Sequence, residues 1–152
     1  MRVMLIIPPR IKSRHRDFAL YYSNPHIGMA YLAAALREKG HSVKMIDAQA
    51  QELSFGDLQT QVTAFSPELV GITVYTEQIE EAGNAARGIK SGNPAVPIII
   101  GGCQASKLPR ETLEKIPHFD QVIRGESEDQ DRNWPVERVV LGHKDRRVSD
   151  GG

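Results

Sequence analysis

Cysteine is almost absent: Cys103 is the only one in 152 residues. One thiol excludes an internal disulfide framework and any metal or iron–sulfur site built from several cysteines within this chain. Surplus charge is missing as well. The 19 Lys and Arg are matched by 19 Asp and Glu, for a formal net charge of zero. The chain therefore has no general electrostatic reason to seek nucleic acid or an anionic membrane, and neither is expected as a partner. The apolar run Val3–Ile7 is too short for a signal-peptide core or a membrane span. A cytoplasmic address is the default expectation.

Phosphate-binding loops are missing too. A dinucleotide site wants Gly-x-Gly-x-x-Gly after the first strand, where this chain reads Pro8-Pro9-Arg10-Ile11-Lys12. The Gly-x-x-x-x-Gly-Lys-Ser/Thr loop occurs nowhere. A phospho-receiver site wants acidic residues after strand 1 and an Asp after strand 3. Prolines and Thr73/Thr76 stand there instead. A flavodoxin-type hydroxyl loop after strand 1 is likewise replaced by Pro-Pro-Arg.

What is present is an ordinary globular composition, 40% hydrophobic and 25% charged, at a length that suits one domain with its own core. The chain is organised around Val96–Ser106. Its β-branched run without polar alternation reads as a strand covered on both faces, ending in Gly101-Gly102. Strands are expected at Met1–Ile7, Ser42–Asp47, Leu69–Tyr75, Val96–Ile100 and Phe119–Arg124. Helices are expected at His26–Lys39, Ser54–Phe65, Glu77–Lys90 and Pro109–Ile116. Ser54 and Asp57 look like a capping box, and Lys39-Gly40 is a helix stop. The polar stretch from Arg10 to about Pro25 reads as a long loop, of a length that is usually functional or mobile.

This alternation predicts an α/β fold. It is a three-layer, Rossmann-like (flavodoxin-like) five-stranded parallel sheet of order 2-1-3-4-5. Such sheets bind ligands beyond the carboxyl ends of their strands, at the switch point between strands 1 and 3. Pro8–Arg10, Thr73–Glu77, Gly101–Ser106 and Arg124–Glu126 fall there. Hydroxyls and glycines of this kind suit a large, weakly charged ligand with amide and nucleotide parts. They suit a catalytic acid–base pair poorly.

Six segments in order carry a family resemblance. They are Met1–Pro9, Pro25–His41 (Pro-His-Ile-Gly-Met-Ala-Tyr-Leu-Ala-Ala-Ala-Leu-Arg-Glu-Lys-Gly-His), Val43–Ala48, Pro67–Thr76, Pro97–Ser106 and Phe119–Glu126. Together they resemble the amino-terminal cobalamin (B12)-binding domain of B12-dependent radical SAM proteins, over residues 1–128. The resemblance implies cobalamin at the carboxyl edge of the sheet. Thr73, Tyr75 and Thr76 would face the corrin or its nucleotide tail. Gly101 and Gly102 would let the tail pass beside Gln104 and Ala105, and Gly125 and Glu126 would close the far side. The Asp-x-His-x-x-Gly motif whose His ligates cobalt in other B12 domains is missing, so no protein histidine ligand to cobalt is expected. The Cys-x-x-x-Cys-x-x-Cys set of the radical SAM barrel is missing too. No iron–sulfur cluster, no catalytic residue and no catalytic activity are expected of this chain alone.

Several residues have plainer readings. Thr76 can cap the helix that starts at Glu77, with Glu77, Glu80 and Glu81 at its positive end. Thr73 can be a simple β-former, and Tyr75 a packing residue. Cys103 reads as a small buried residue. His41 and the arginines of the Arg10–Arg16 loop read as solvated, and His15 as unliganded. Residues 129–152 read as an irregular polar tail, as if a longer chain had been cut. The leading expectation is a cobalamin-binding domain, such as a truncated fragment of a B12-dependent radical SAM enzyme, with a radical SAM partner or a homo-oligomer around it. The alternative is a cofactor-free flavodoxin-like interaction module.

Overall fold

The structure, a computed structural model, describes residues 1–10, 26–75, 78–124 and 147–150. In chain order the elements are β1 (Arg2–Ile7), α1 (Ile27–Glu38), β2 (Ser42–Asp47), α2 (Phe55–Phe65), β3 (Leu69–Thr73) and α3 (Ile79–Gly92). They continue with β4 (Ile98–Gly101), α4 (Cys103–Lys107), α5 (Pro109–Lys115), β5 (Gln121–Arg124) and β6 (Arg147–Asp150). All strand pairings are parallel, in the order β2-β1-β3-β4-β5-β6. The five expected strands are there in the expected order.

Two elements were not expected. β6 lies in the stretch read as an irregular tail, and it pairs alongside β5 from Gln121–Arg147 to Arg124–Asp150. A four-residue edge strand is held largely by backbone hydrogen bonds, so its polar sequence carries no apolar period to announce it. The second is α4, a short helix that begins at Cys103 directly after the glycine pair. Gly102 turns the chain there with φ of 106°, a conformation open to glycine and strained for other residues. The ladder of β3 also stops at Thr73, two residues short of the expected end at Tyr75.

Strand side chains alternate between faces, and here both faces are apolar. Met4, Ile6, Val70, Ile72, Ile98 and Ile100 join Leu58 and Val62 of α2, Ala86 and Ile89 of α3, and Leu113 of α5. On the other face Val3, Leu5, Ile7, Leu69, Ile99 and Ile123 join Met29, Leu32, Ala33 and Leu36 of α1. This two-sided burial is why β1 and β4 read as continuous hydrophobic runs.

Local hydrogen bonds set the ends of the elements. The capping box expected at α2 is formed: Asp57 N donates to Ser54 Oγ at 3.1 Å, and Ser54 N donates to Asp57 Oδ2 at 3.0 Å. These bonds hold the Asp57 carboxyl below its ordinary range, the Ser54 side chain contributing most. At the amino edge of the sheet Asp120 Oδ2 accepts from Ile98 N at 2.7 Å and from Lys90 Nζ at 2.8 Å. One carboxylate thus ties the start of β4 to α3 and to the entry of β5.

Candidate functional site

The carboxyl ends of β1, β3 and β4 meet at one edge. Register places Thr73 directly beside Gly101, and Val74 N donates to Gly101 O at 3.1 Å just past the ladder. By alternation along β3 and β4, Thr73 follows Leu69 and Gly101 follows Ile99, so both belong to the α1 side of the sheet. Thr73 is only 8% exposed, yet its hydroxyl makes no hydrogen bond among the described residues. The Thr73 hydroxyl is therefore available to a ligand at this edge.

The two glycines do different work. A Cβ on Gly101 would meet nothing within 4 Å among the described residues, so the end of β4 opens onto free space. A Cβ on Gly102 would lie 2.4 Å from Val74 O, 3.0 Å from Val74 N and 3.3 Å from Thr73 Oγ1. Gly102 therefore lets the backbone pass hard against the end of β3. Gly101 leaves room outside it.

The remaining expected residues separate. Ala105 is 0% exposed and belongs to the α2/α3/α5 core cluster. Its methyl packs into that core from α4. Gln104 lies on α4. Thr76, Gly125 and Glu126 fall outside the described residues, as do His15 and the loop from Ile11 to Pro25.

The structure adds residues at the same edge. His26 is the N-cap residue of α1 and makes no side-chain capping bond. Its ring centroid lies 5.6 Å from that of Tyr75, with the planes tilted by 37°. Burial lowers the imidazole pKa below its ordinary 6.5, and the Asp47 carboxylate at the end of β2 partly opposes this. Asp47 Oδ1 also accepts from Ala50 N at 2.8 Å. Beside it, Gln78 Nε2 donates to Gln49 Oε1 at 2.6 Å and closes the outer side. Asp47 could have been found by applying the strand-end rule to β2. His26 stands just ahead of the helix that follows the switch loop, and only the return of β3 beside β1 brings Tyr75 to it.

The edge combines a hydroxyl with no hydrogen-bond partner among the described residues, an open glycine, two aromatic rings and amide side chains. Among the described residues no group of three or more His, Cys, Asp or Glu is placed to hold a metal ion. No described helix is long and apolar enough to cross a membrane. This donor set fits cobalamin, a large ligand fringed with amides and carrying a nucleotide tail. Thr73 offers a hydrogen bond that nothing else takes, and Gly101 leaves the space.

Comparison with known proteins agrees. The B12 binding domain family matches residues 18–133. An uncharacterized methyltransferase of Pyrococcus horikoshii is 35% identical over 128 residues, covering 84% of this chain and 27% of that protein. An anaerobic magnesium-protoporphyrin IX monomethyl ester cyclase of Rubrivivax gelatinosus is 31% identical over 130 residues, covering 84% and 23%. The chain thus spans about a quarter of the length of these relatives. Among solved structures, the cobalamin-dependent S-adenosylmethionine radical enzyme OxsB, with aqua-cobalamin and S-adenosylmethionine bound, superposes with a TM-score of 0.66. It is 19% identical and covers 84% of this chain and 17% of its own. A CheY-like protein (tadZ) of Pseudomonas aeruginosa reaches 0.50 at 11% identity, covering 76% and 81%, and shares the fold. A parallel sheet of order 2-1-3-4-5, with an open glycine and a free hydroxyl at its switch-point edge, thus coincides with a family match over most of the chain: the protein belongs to the B12-binding domain family.

Proposed function

We propose that this domain holds cobalamin against the carboxyl edge of its sheet and presents it to a radical SAM partner. The observation that carries the placement is the pairing of the unbonded Thr73 hydroxyl with the open space at Gly101. Thr73 donates to an amide carbonyl or phosphate oxygen of the cofactor. Gly101 gives passage to the nucleotide tail, and Gly102 keeps the β3 end and the α4 turn in place around it. Tyr75 lies against the macrocycle. Thr76, Gln104, Gly125 and Glu126 complete the enclosure, and residues 1–128 form the binding unit. When bound, cobalamin supplies one-carbon and redox chemistry at its cobalt; the chain's own residues bind it, orient it and exclude water from its tail.

The partner is inferred from the relatives, which are a methyltransferase and a cyclase several times longer than this chain. A lone cysteine leaves the iron–sulfur cluster of such a partner to another segment or chain. The setting we propose is cytoplasmic. The test is direct. Purified protein mixed with hydroxocobalamin and desalted is expected to retain corrin absorbance at about one equivalent. A protein folded by circular dichroism that retains none would remove the proposal.

A further inference from the structure

The carboxyl edge has two chemically distinct halves. Over β3 and β4 lie Thr73, with its hydroxyl, and Gly101, where an added Cβ would meet nothing within 4 Å among the described residues. Over β1, β2 and β3 lie two rings, His26 and Tyr75, 5.6 Å apart, with the Asp47 carboxylate acting on the imidazole. Open space at a glycine suits an extended tail. A pair of rings suits a flat macrocycle. Cobalamin carries both parts, and its macrocycle is ringed by primary amides.

The ring nitrogens of His26 serve no cap. It occupies the N-cap position of α1 without capping it. Neither ring nitrogen makes a hydrogen bond among the described residues. The half-buried imidazole packs against the Tyr75 ring and leaves both nitrogens without a hydrogen-bond partner among the described residues, available to a ligand at this edge. Burial favours the neutral imidazole, the form in which one nitrogen donates and the other accepts. That complements a primary amide, which does both.

We infer that His26 recognises the corrin ring itself, hydrogen-bonding an amide at the rim of the macrocycle, while the Thr73–Gly101 half of the edge receives the nucleotide tail. This rests on the cobalamin reading above and divides its binding energy between two named halves of the site.

Two ligands separate the halves: hydroxocobalamin, and diaquacobinamide, the same ring without the nucleotide. Affinities of each for the wild type and His26→Phe are measured by equilibrium dialysis of the full chain. Phe keeps a ring against Tyr75 and removes the nitrogens. Circular dichroism and a thermal melt confirm that the variant folds, and His26→Leu, which likewise removes both nitrogens, serves if it does not. The substitution is expected to weaken both ligands by the same factor, about tenfold for one lost hydrogen bond in a shielded site. Unchanged affinities, or a loss confined to one ligand, overturn the inference. So does a wild type that binds hydroxocobalamin and not diaquacobinamide, since the ring contact then carries no affinity. A wild type that binds neither removes the cobalamin reading itself, which is a separate outcome.

Discussion

Gly101 and Gly102 are neighbours with opposite sensitivities. A methyl at Gly102 meets the Val74 carbonyl at 2.4 Å from a backbone at φ +106°, so Gly102→Ala is expected to cost more than about 2 kcal/mol in folding stability. At Gly101 the added atoms enter open space. Gly101→Val is expected to leave the thermal midpoint within about 3 °C while lowering cobalamin retention, because it fills the room the tail needs. Melting curves and desalting on the two variants check both halves. If Gly101→Val binds as well as wild type, the tail does not pass there. The sequence showed the pair and the strand before it. It did not say which glycine serves packing and which serves space, because that depends on where β3 lies.

At the scale of elements, the carboxyl edge carries the proposed site, and the amino edge carries a hydrogen-bonded lock between strands and helix. Asp120 bonds the first amide of β4 and the ammonium of Lys90 on α3. The Lys90–Asp120 pair has side-chain exposures of 17% and 47%, so its charge attraction is partly screened, and the amide bond matters more. Asp120→Ala leaves the Ile98 N–H without its acceptor at a part-buried position. It is expected to cost about 2 kcal/mol, read as a lower urea midpoint at unchanged slope. Asp120→Asn keeps an acceptor for Ile98 and is expected to cost less. An equal loss in both variants would show that charge, not the amide bond, sets the lock. The capping box at Ser54 was legible because its partners are three residues apart. The Asp120 lock was not, since Ile98 and Lys90 are 22 and 30 residues away.

For the whole molecule, the proposed binding edge is assembled from β1, β2, β3 and β4, so ligand binding and folding are thermodynamically linked. A ligand that binds only the folded state stabilises it by about 2.7 kcal/mol at a hundredfold excess over Kd. For a chain of this size that raises the thermal midpoint by roughly 5–10 °C. Differential scanning fluorimetry with and without hydroxocobalamin measures it. A bound corrinoid that leaves the midpoint unmoved would mean that it also binds the unfolded chain. β6 extends the sheet beside β5 in a stretch read as tail.

Sequence alone determined the class of fold, because hydrophobic runs of strand length alternating with helices of crossover length admit few parallel topologies. The six ordered segments pointed to the family, and the single cysteine bounded the chemistry this chain can hold. Tertiary structure decided the roles within Val96–Ser106. It placed Ala105 in the core, Gly102 against Val74 and Gly101 in the open. It also joined His26, Asp47 and Tyr75, which are 21 to 49 residues apart in the chain. Such groupings depend on strand order and register, and both are set by long-range pairing that no local pattern records.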